Sequence, residues 1–333
     1  MRVEEQFSIV SIPFQDRLDA EHREALELIP EDLLNLSTLE KTRKLTEQLM
    51  TAAAARQPAV GGIRVEDCKL PAQATRPELL LRLYIPIAIA HPAPVLLYIH
   101  GGGFVLGEVW HFDAQCKQLA AGADCIVASI EYRRAPEHPY PIPMEDSYAA
   151  LAWLHAVAEE RGLDVRRIGV GGSSAGAGLA AGLALLARDR GKYPIAFQFL
   201  EAPMLDHRCI TPSSQSIEHP RVWNRAANEA AWAAYLGADH LHRNIPVYAS
   251  PAIAMDLARL PPAYLCVGAH DLFLDETFDY AQRLLRAGVA VQFHVYEMGF
   301  HGSPRGLPSA PVSQRWRADS VSALKRLAST ATV

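Results

Sequence analysis

Several functional classes leave marks that this sequence lacks. Its 32 basic residues are outnumbered by 37 acidic ones, for a net charge of −5, and no basic block or aromatic-basic interleaving occurs. Nucleic acid is therefore not expected as a partner. No apolar run approaches the length of about 20 residues that spans a bilayer, so no membrane association is expected. The opening MRVEEQFSIV has no basic start followed by an apolar core, so it does not read as a secretory signal. Cysteine is scarce. Cys68, Cys116, Cys125, Cys209 and Cys266 are odd in number and scattered, with no C-x-x-C. That pattern fits reduced thiols in a cytoplasmic protein better than a disulfide framework, though a single disulfide is compatible with the count. There is no H-E-x-x-H; Asp239, His240 and His242 cluster without a spaced third ligand, and read as a polar surface turn rather than a metal site.

What the chain does have is a rhythm. Half of its 333 residues are hydrophobic, enough for one large α/β domain with an added lid or for two small domains. Strands are expected at 63–70, 79–85, 95–99, 125–130, 167–170, 195–200, 263–267 and 289–296, from short apolar runs bounded by proline and glycine. Helical periodicity covers 111–121, 146–160, 175–188, 276–287 and 312–327. Alternation of this kind implies a mostly parallel central sheet with helices on both faces. Two segments break it. Residues 1–55 are helical and charged, with apolar spacing at 19–28 and 39–54 separated by Pro30; residues 203–247 hold polar turns (TPSSQS) and a helix near 228–235. The expected organisation is residues 1–55 as the N-terminal part of a helical cap, 56–202 and 248–333 as the catalytic body, and 203–247 as a cap insertion. An N-terminal helical hairpin packed on the core is the plainer reading of the first segment.

The stretch RIGVGGSSAGAG at 167–178 joins a strand to a helix through a sharp turn. Gly172, Ser174 and Gly176 fit G-x-S-x-G, the nucleophile elbow, in which a serine at a strained turn leaves no room for side chains two residues away on either side. Ser173 is the rival hydroxyl, but Gly171 and Ala175 flank it less well. An elbow serine needs an imidazole to take its proton and a carboxylate to hold the imidazole. In this architecture they follow in the order serine, acid, histidine. Asp271, after the strand 263–267, and His301, after the strand 289–296, match. Asp275 is the rival acid, but its position suits a helix-start carboxylate; His294 and His270 are weaker rivals to His301. The tetrahedral intermediate also needs preorganised N–H donors, each contributing about 3 kcal/mol. His100-Gly101-Gly102-Gly103-Phe104 follows the strand 95–99, and three successive glycines let the backbone turn its amides toward a ligand. Ala175 would add an N–H from the helix start. A phosphate cradle is the competing reading of these glycines. No Walker-type lysine–hydroxyl pair or G-x-G-x-x-G accompanies them, so no nucleotide cofactor is expected.

HGGGF at 100–104, the elbow at 172–176 and YRRAPEHP at 132–139 together resemble the bacterial hormone-sensitive-lipase-like carboxylesterases, family IV of the lipolytic α/β-hydrolases. The resemblance runs from about residue 95 to 301. It implies an α/β-hydrolase fold with a cap, and a cofactor-free serine esterase acting on a small-molecule carboxylic ester. It also implies Ser174, Asp271 and His301 as triad, with Gly102, Gly103 and Ala175 as oxyanion donors. His100 and the YRRAPEHP segment would be structural, and a homodimer is a possible assembly. Three positions depart from the family pattern: Ser173 stands where an aspartate is usual, Leu272 and Leu274 where a proline and a basic residue are usual, and Ser303 where an aromatic is usual. Lactone opening, amide cleavage and acyl transfer use the same machinery. A hydrolase-fold receptor without catalysis is the other class, and the presence of all three triad residue types argues against it.

Overall fold

Eight strands form one sheet in the order β1-β2-β4-β3-β5-β6-β7-β8. They are β1 (Ile63–Leu70), β2 (Leu79–Pro86), β3 (Ala93–Ile99), β4 (Ile126–Ile130), β5 (Leu163–Ser173), β6 (Gln198–Glu201), β7 (Ala263–Gly268) and β8 (Val291–Tyr296). The computed structural model describes residues 13–54, 60–73 and 76–330. The segment MRVEEQFSIV, read above for a leader, lies outside the described residues. Strand β2 runs antiparallel to both neighbours, β1 and β4, and every other pair is parallel. The eight expected strands are all present. β5 is longer than the expected 167–170, because the extended backbone runs through Leu163 to Arg166 before it and Gly171 to Ser173 after it.

The apolar runs are continuous because both faces of the sheet are covered. All seven residues of β3 are buried. Its side chains alternate, as the period of two requires: Val95, Leu97 and Ile99 enter one core, Leu96 and Tyr98 the other. β7 divides the same way, with Leu265 on one side and Tyr264 and Cys266 on the other. Leu151 and Leu154 of helix Ile142–Ala156 and Leu179 and Leu183 of helix Ala175–Arg190 cover the first face. Cys116 and Leu119 of helix Asp113–Ala123 and Trp316 and Leu324 of helix Pro311–Ser329 cover the second.

In the N-terminal segment, helix Ala20–Glu27 starts at Asp19, whose carboxylate accepts from the His22 amide, and a second helix covers Leu39–Ala54. Between β6 and β7 no strand occurs among the described residues. TPSSQS is not only a polar turn: Pro212–Ser216 is a short helix, because Thr211 Oγ1 caps it by accepting from the Ser214 amide at 3.2 Å. Helix Arg225–Leu236 follows. Arg221 ties the two segments together, donating to the carbonyls of Glu27 and Ile29 at 2.7 and 2.8 Å. Arg43 ties the first segment to the body through the Val105 carbonyl at 2.9 Å and Glu137 at 2.6 Å. The loops after β3, β5, β7 and β8 leave parallel strands at the same edge, which is where such sheets assemble sites.

Candidate active site

Ser174 lies between the last residue of β5 and helix Ala175–Arg190 with φ 58° and ψ −125°. A non-glycine residue with positive φ is strained and needs its surroundings to hold it. Its amide donates to the Glu201 carbonyl at 2.8 Å, and its own carbonyl accepts from Gly178 at 3.0 Å and Met204 at 3.1 Å. A Cβ on Gly172 or on Gly176 would collide with the Ile99 carbonyl oxygen. The G-x-S-x-G spacing is thus a packing requirement against the end of β3. Ser174 Oγ lies 2.9 Å from His301 Nε2. Ser173 ends β5 one residue earlier, and the imidazole is bonded to Ser174.

His301 Nδ1 lies 2.9 Å from Asp271 Oδ2. Asp271 is 1 % exposed, and its other oxygen accepts from the Phe273 amide at 2.9 Å. An ionised carboxylate only accepts, so the ring proton resides on Nδ1 and the Nε2 lone pair faces the serine hydroxyl. The Phe273 ring meets the imidazole edge-on, with centroids 5.0 Å apart. The rivals are engaged elsewhere. Asp275 is in the first turn of helix Leu274–Arg286 and accepts from the Ser213 amide at 2.7 Å. His294 lies on β8, 3.5 Å from Asp319, and the imidazole on Asp271 and Ser174 is that of His301, not of His270.

The loop after β3 brings Gly102 and Gly103 to the same place. Gly102 has φ 123°, a conformation closed to side chains, and a Cβ there would strike the Leu106 carbonyl. The amides of Gly102, Gly103 and Ala175 take no part in the turn, loop and cap hydrogen bonds among the described residues. His100 supports this loop. It is fully buried, stacks on Tyr132 at 4.3 Å and bonds the Gly101 carbonyl at 2.9 Å through Nδ1. Burial pushes its pKa down to about 3, so the ring is neutral. The segment 132–139 holds the loop from outside: Arg134 donates to the Gly107 carbonyl at 2.6 Å, and Arg133 forks onto buried Asp146 at 2.7 and 2.9 Å.

The sequence profile of the α/β hydrolase fold family matches residues 96–304. The chain belongs to this family. The hydrolase is 40 % identical over 251 residues to Esterase LipI of Mycobacterium tuberculosis, covering 74 % of this chain and 77 % of that protein. It is 35 % identical over 289 residues to Carboxylesterase NlhH of the same species, covering 80 % and 90 %. Among solved structures, a Bacterial Heroin Esterase superposes with a TM-score of 0.89 at 40 % identity, over 94 % of this chain and 99 % of that one. The hormone-sensitive-lipase-like branch suggested by HGGGF and the elbow is the branch to which the hydrolase belongs.

The hydrolase carries a cavity of about 590 Å³ over Ser174 and His301. Leu34 and Met50 from the N-terminal segment and Trp223 from residues 203–247 line it together with Gly102 and Gly103. No motif pointed to Trp223; a side chain on Gly103 would strike its ring. Glu201 was also missed. It ends β6, is 6 % exposed, and accepts from Ser320 at 2.9 Å and from the Gln115 amide. Burial pushes its carboxyl up to about 7. Its one signal was an acid closing the short buried strand QFLE. At 239–242, Asp239 pairs with Arg243 at 3.3 Å and His240 Nδ1 bonds the Gly237 carbonyl at 2.9 Å. No group of three or more potential ligands occurs among the described residues. The five cysteines are unpaired and buried, and no helix among the described residues is long and apolar enough to cross a membrane.

Proposed function

We propose that this protein is a serine carboxylic-ester hydrolase in which Ser174 is the nucleophile, His301 the base and Asp271 the acid that orients it. The observation that carries the reading is the unbroken chain Ser174 Oγ to His301 Nε2 to Asp271, with both contacts at 2.9 Å, beside three amides free to donate. His301 takes the Ser174 proton as Oγ attacks the ester carbonyl carbon. The carbonyl oxygen becomes an oxyanion and accepts from Gly102, Gly103 and Ala175. Collapse breaks the bond to the alcohol oxygen, which leaves with the proton from His301. A water, deprotonated by the same imidazole, then attacks the acyl-enzyme, and the acid departs from Ser174. The chemistry needs no cofactor.

Residues 1–55 and 203–247 act in this reading as one cap over the body at 56–202 and 248–333. The cap supports a preference for acyl chains of roughly two to eight carbons, because a pocket of about 590 Å³ fills quickly. A cytosolic location rests on five unpaired thiols. A homodimer rests on the family resemblance and on the exposed apolar groups Phe278, Leu285 and Val295 around edge strand β8.

A fluorophosphonate probe and p-nitrophenyl acetate test the reading. Wild type should be labelled and active. Ser174→Ala should be neither, with an unchanged circular dichroism spectrum, and Ser173→Ala should retain substantial activity. Labelling of Ser174→Ala, or inactivity confined to Ser173→Ala, would overturn the assignment.

A further inference from the structure

A second cavity, of about 580 Å³, is also lined by His301. Glu201, Ser173 and Ser320 line it, so it occupies the place where Ser173 departs from the family's aspartate. Both cavities are lined by His301, Gly302, Arg305 and His111, so Arg305 stands where they meet, four residues beyond the base. The lining of the second includes neither Ser174 nor glycines 101–103.

The charged side chains around the two cavities are otherwise engaged. Arg317 donates to the carbonyls of Pro304 and Pro308, Arg221 pairs with Glu27 and Glu31 at 3.1 Å, and Lys117 lies 3.7 Å from Asp113. Both oxygens of Glu201 accept from neighbours, Ser320 and Gln115. The Arg305 side chain has no hydrogen-bond acceptor and no ion pair among the described residues; its guanidinium lies over the Phe112 ring, 4.3 Å from the centroid. The surrounding protein desolvates the cation and lowers its pKa from the ordinary arginine value, with Tyr98 and Glu201 opposing the shift. The side chain is nonetheless reachable from both cavities. A guanidinium that is partly desolvated and has all its N–H donors unspent is suited to a planar carboxylate, which it can engage through two parallel hydrogen bonds.

The direction of the reaction assigns the half of the substrate that reaches it. The carbonyl oxygen must point at the amides of Gly102 and Gly103. The alcohol oxygen must face His301 Nε2 to receive its proton. The part of the ester that passes His301 into the second cavity, whose lining lacks Ser174 and glycines 101–103, is therefore the alcohol. Resting on the esterase reading above, we infer that Arg305 is a specificity-determining residue that binds a carboxylate carried on the alcohol half of the ester. The substrate class is then an acyl ester of a hydroxy acid, with the free acid held by Arg305 while the acyl group occupies the cavity over Ser174.

The test compares two acetyl esters of nearly equal size, those of 3-hydroxybenzoate and 3-hydroxybenzamide, together with the monophenyl ester of glutarate, which carries its charge on the acyl side. In wild type, the ratio of kcat/KM for the benzoate ester over the benzamide ester should exceed one. In Arg305→Gln it should fall by about tenfold or more, chiefly through KM. Arg305→Lys should restore part of the ratio, since it returns the charge without the fork. A ratio that moves less than about twofold, or a lysine variant no better than glutamine, would overturn the assignment. A loss confined to the glutarate ester would overturn the placement on the alcohol half. If wild type cleaves the benzamide ester and the ratio is unmoved, only the role of Arg305 falls. If it cleaves p-nitrophenyl acetate but none of the three, the inference alone falls; if it cleaves neither, ester hydrolysis falls with it.

Discussion

Replacing Asp271 by asparagine tests the arrangement around His301 most directly, because the structure dictates how the amide must sit. Asp271 Oδ1 accepts from the Phe273 amide at 2.9 Å, and Oδ2 faces His301 Nδ1 at 2.9 Å. Asparagine has one acceptor and one donor in those places. With its oxygen toward Phe273, its NH₂ meets Nδ1 and forces the ring proton onto Nε2, where it points at Ser174 Oγ. The imidazole then cannot take the serine proton. With the amide flipped, the NH₂ opposes the Phe273 N–H in a buried site, and two donors face each other. That costs about 1–3 kcal/mol, so the flipped form is a minor population. Loss of the working tautomer in a comparable triad lowers turnover by about four orders of magnitude, equivalent to roughly 5.5 kcal/mol of barrier. Asp275→Asn removes far less, because a carboxamide oxygen can still accept from the Ser213 amide. The assay is kcat for p-nitrophenyl acetate in both variants, with thermal melts to show that each folds. A loss in Asp275→Asn that equals or exceeds that in Asp271→Asn would refute the reasoning.

The cavity over Ser174, about 590 Å³, predicts that kcat/KM for p-nitrophenyl esters rises with acyl length while methylenes are being buried, at about 0.8 kcal/mol each, and then falls beyond roughly eight carbons. Measurements from acetate to palmitate below the micelle threshold check this; a maximum at palmitate, or activation by an emulsion, would contradict it. Glu201 predicts a pH effect on stability. Burial raises its carboxyl to about 7, whereas an unfolded glutamate titrates near about 4.3, so the folded state binds the proton more tightly. Its contribution is present in full below about pH 4.3 and is lost as pH rises through about 7, to a total on the order of 3 kcal/mol. Glu201→Gln, neutral throughout, should therefore gain stability relative to wild type between pH 5 and 8 in thermal melts; a constant difference across that range would count against it.

Much of the fold and of the candidate site was legible because it is set locally. Continuous apolar runs in β3 and β7 announce strands covered on both faces, since each alternate side chain needs its own core. The elbow is legible because the two glycines that flank Ser174 pack against one carbonyl, that of Ile99, so the constraint is written within five residues. Chain order and the exits of β7 and β8 narrowed the acid and the base to a few residues each. The helix-start position of Asp275 favoured Asp271, and the tertiary contacts agree with that order. Asp271 differs from Asp275 through its bond to His301, thirty residues away, while Asp275 is spent on Ser213, sixty-two residues back. The short helix at Pro212–Ser216 was missed because a threonine cap before a polar stretch reads equally well as a turn.

Trp223, Glu201 and Arg305 had no motif at all. Trp223 matters because residues 203–247 fold back over Gly103, and Arg305 because two cavities meet beside His301. The sequence by itself determined the strands, the elbow and the glycine loop, each a response to sterics within a few residues. Only the tertiary structure shows the contact between the imidazole and Asp271, the acid that the sequence already favoured over Asp275, and which cation has no side-chain acceptor among the described residues. Those depend on distances between loops far apart in the chain, fixed by the register of parallel strands that no local pattern encodes.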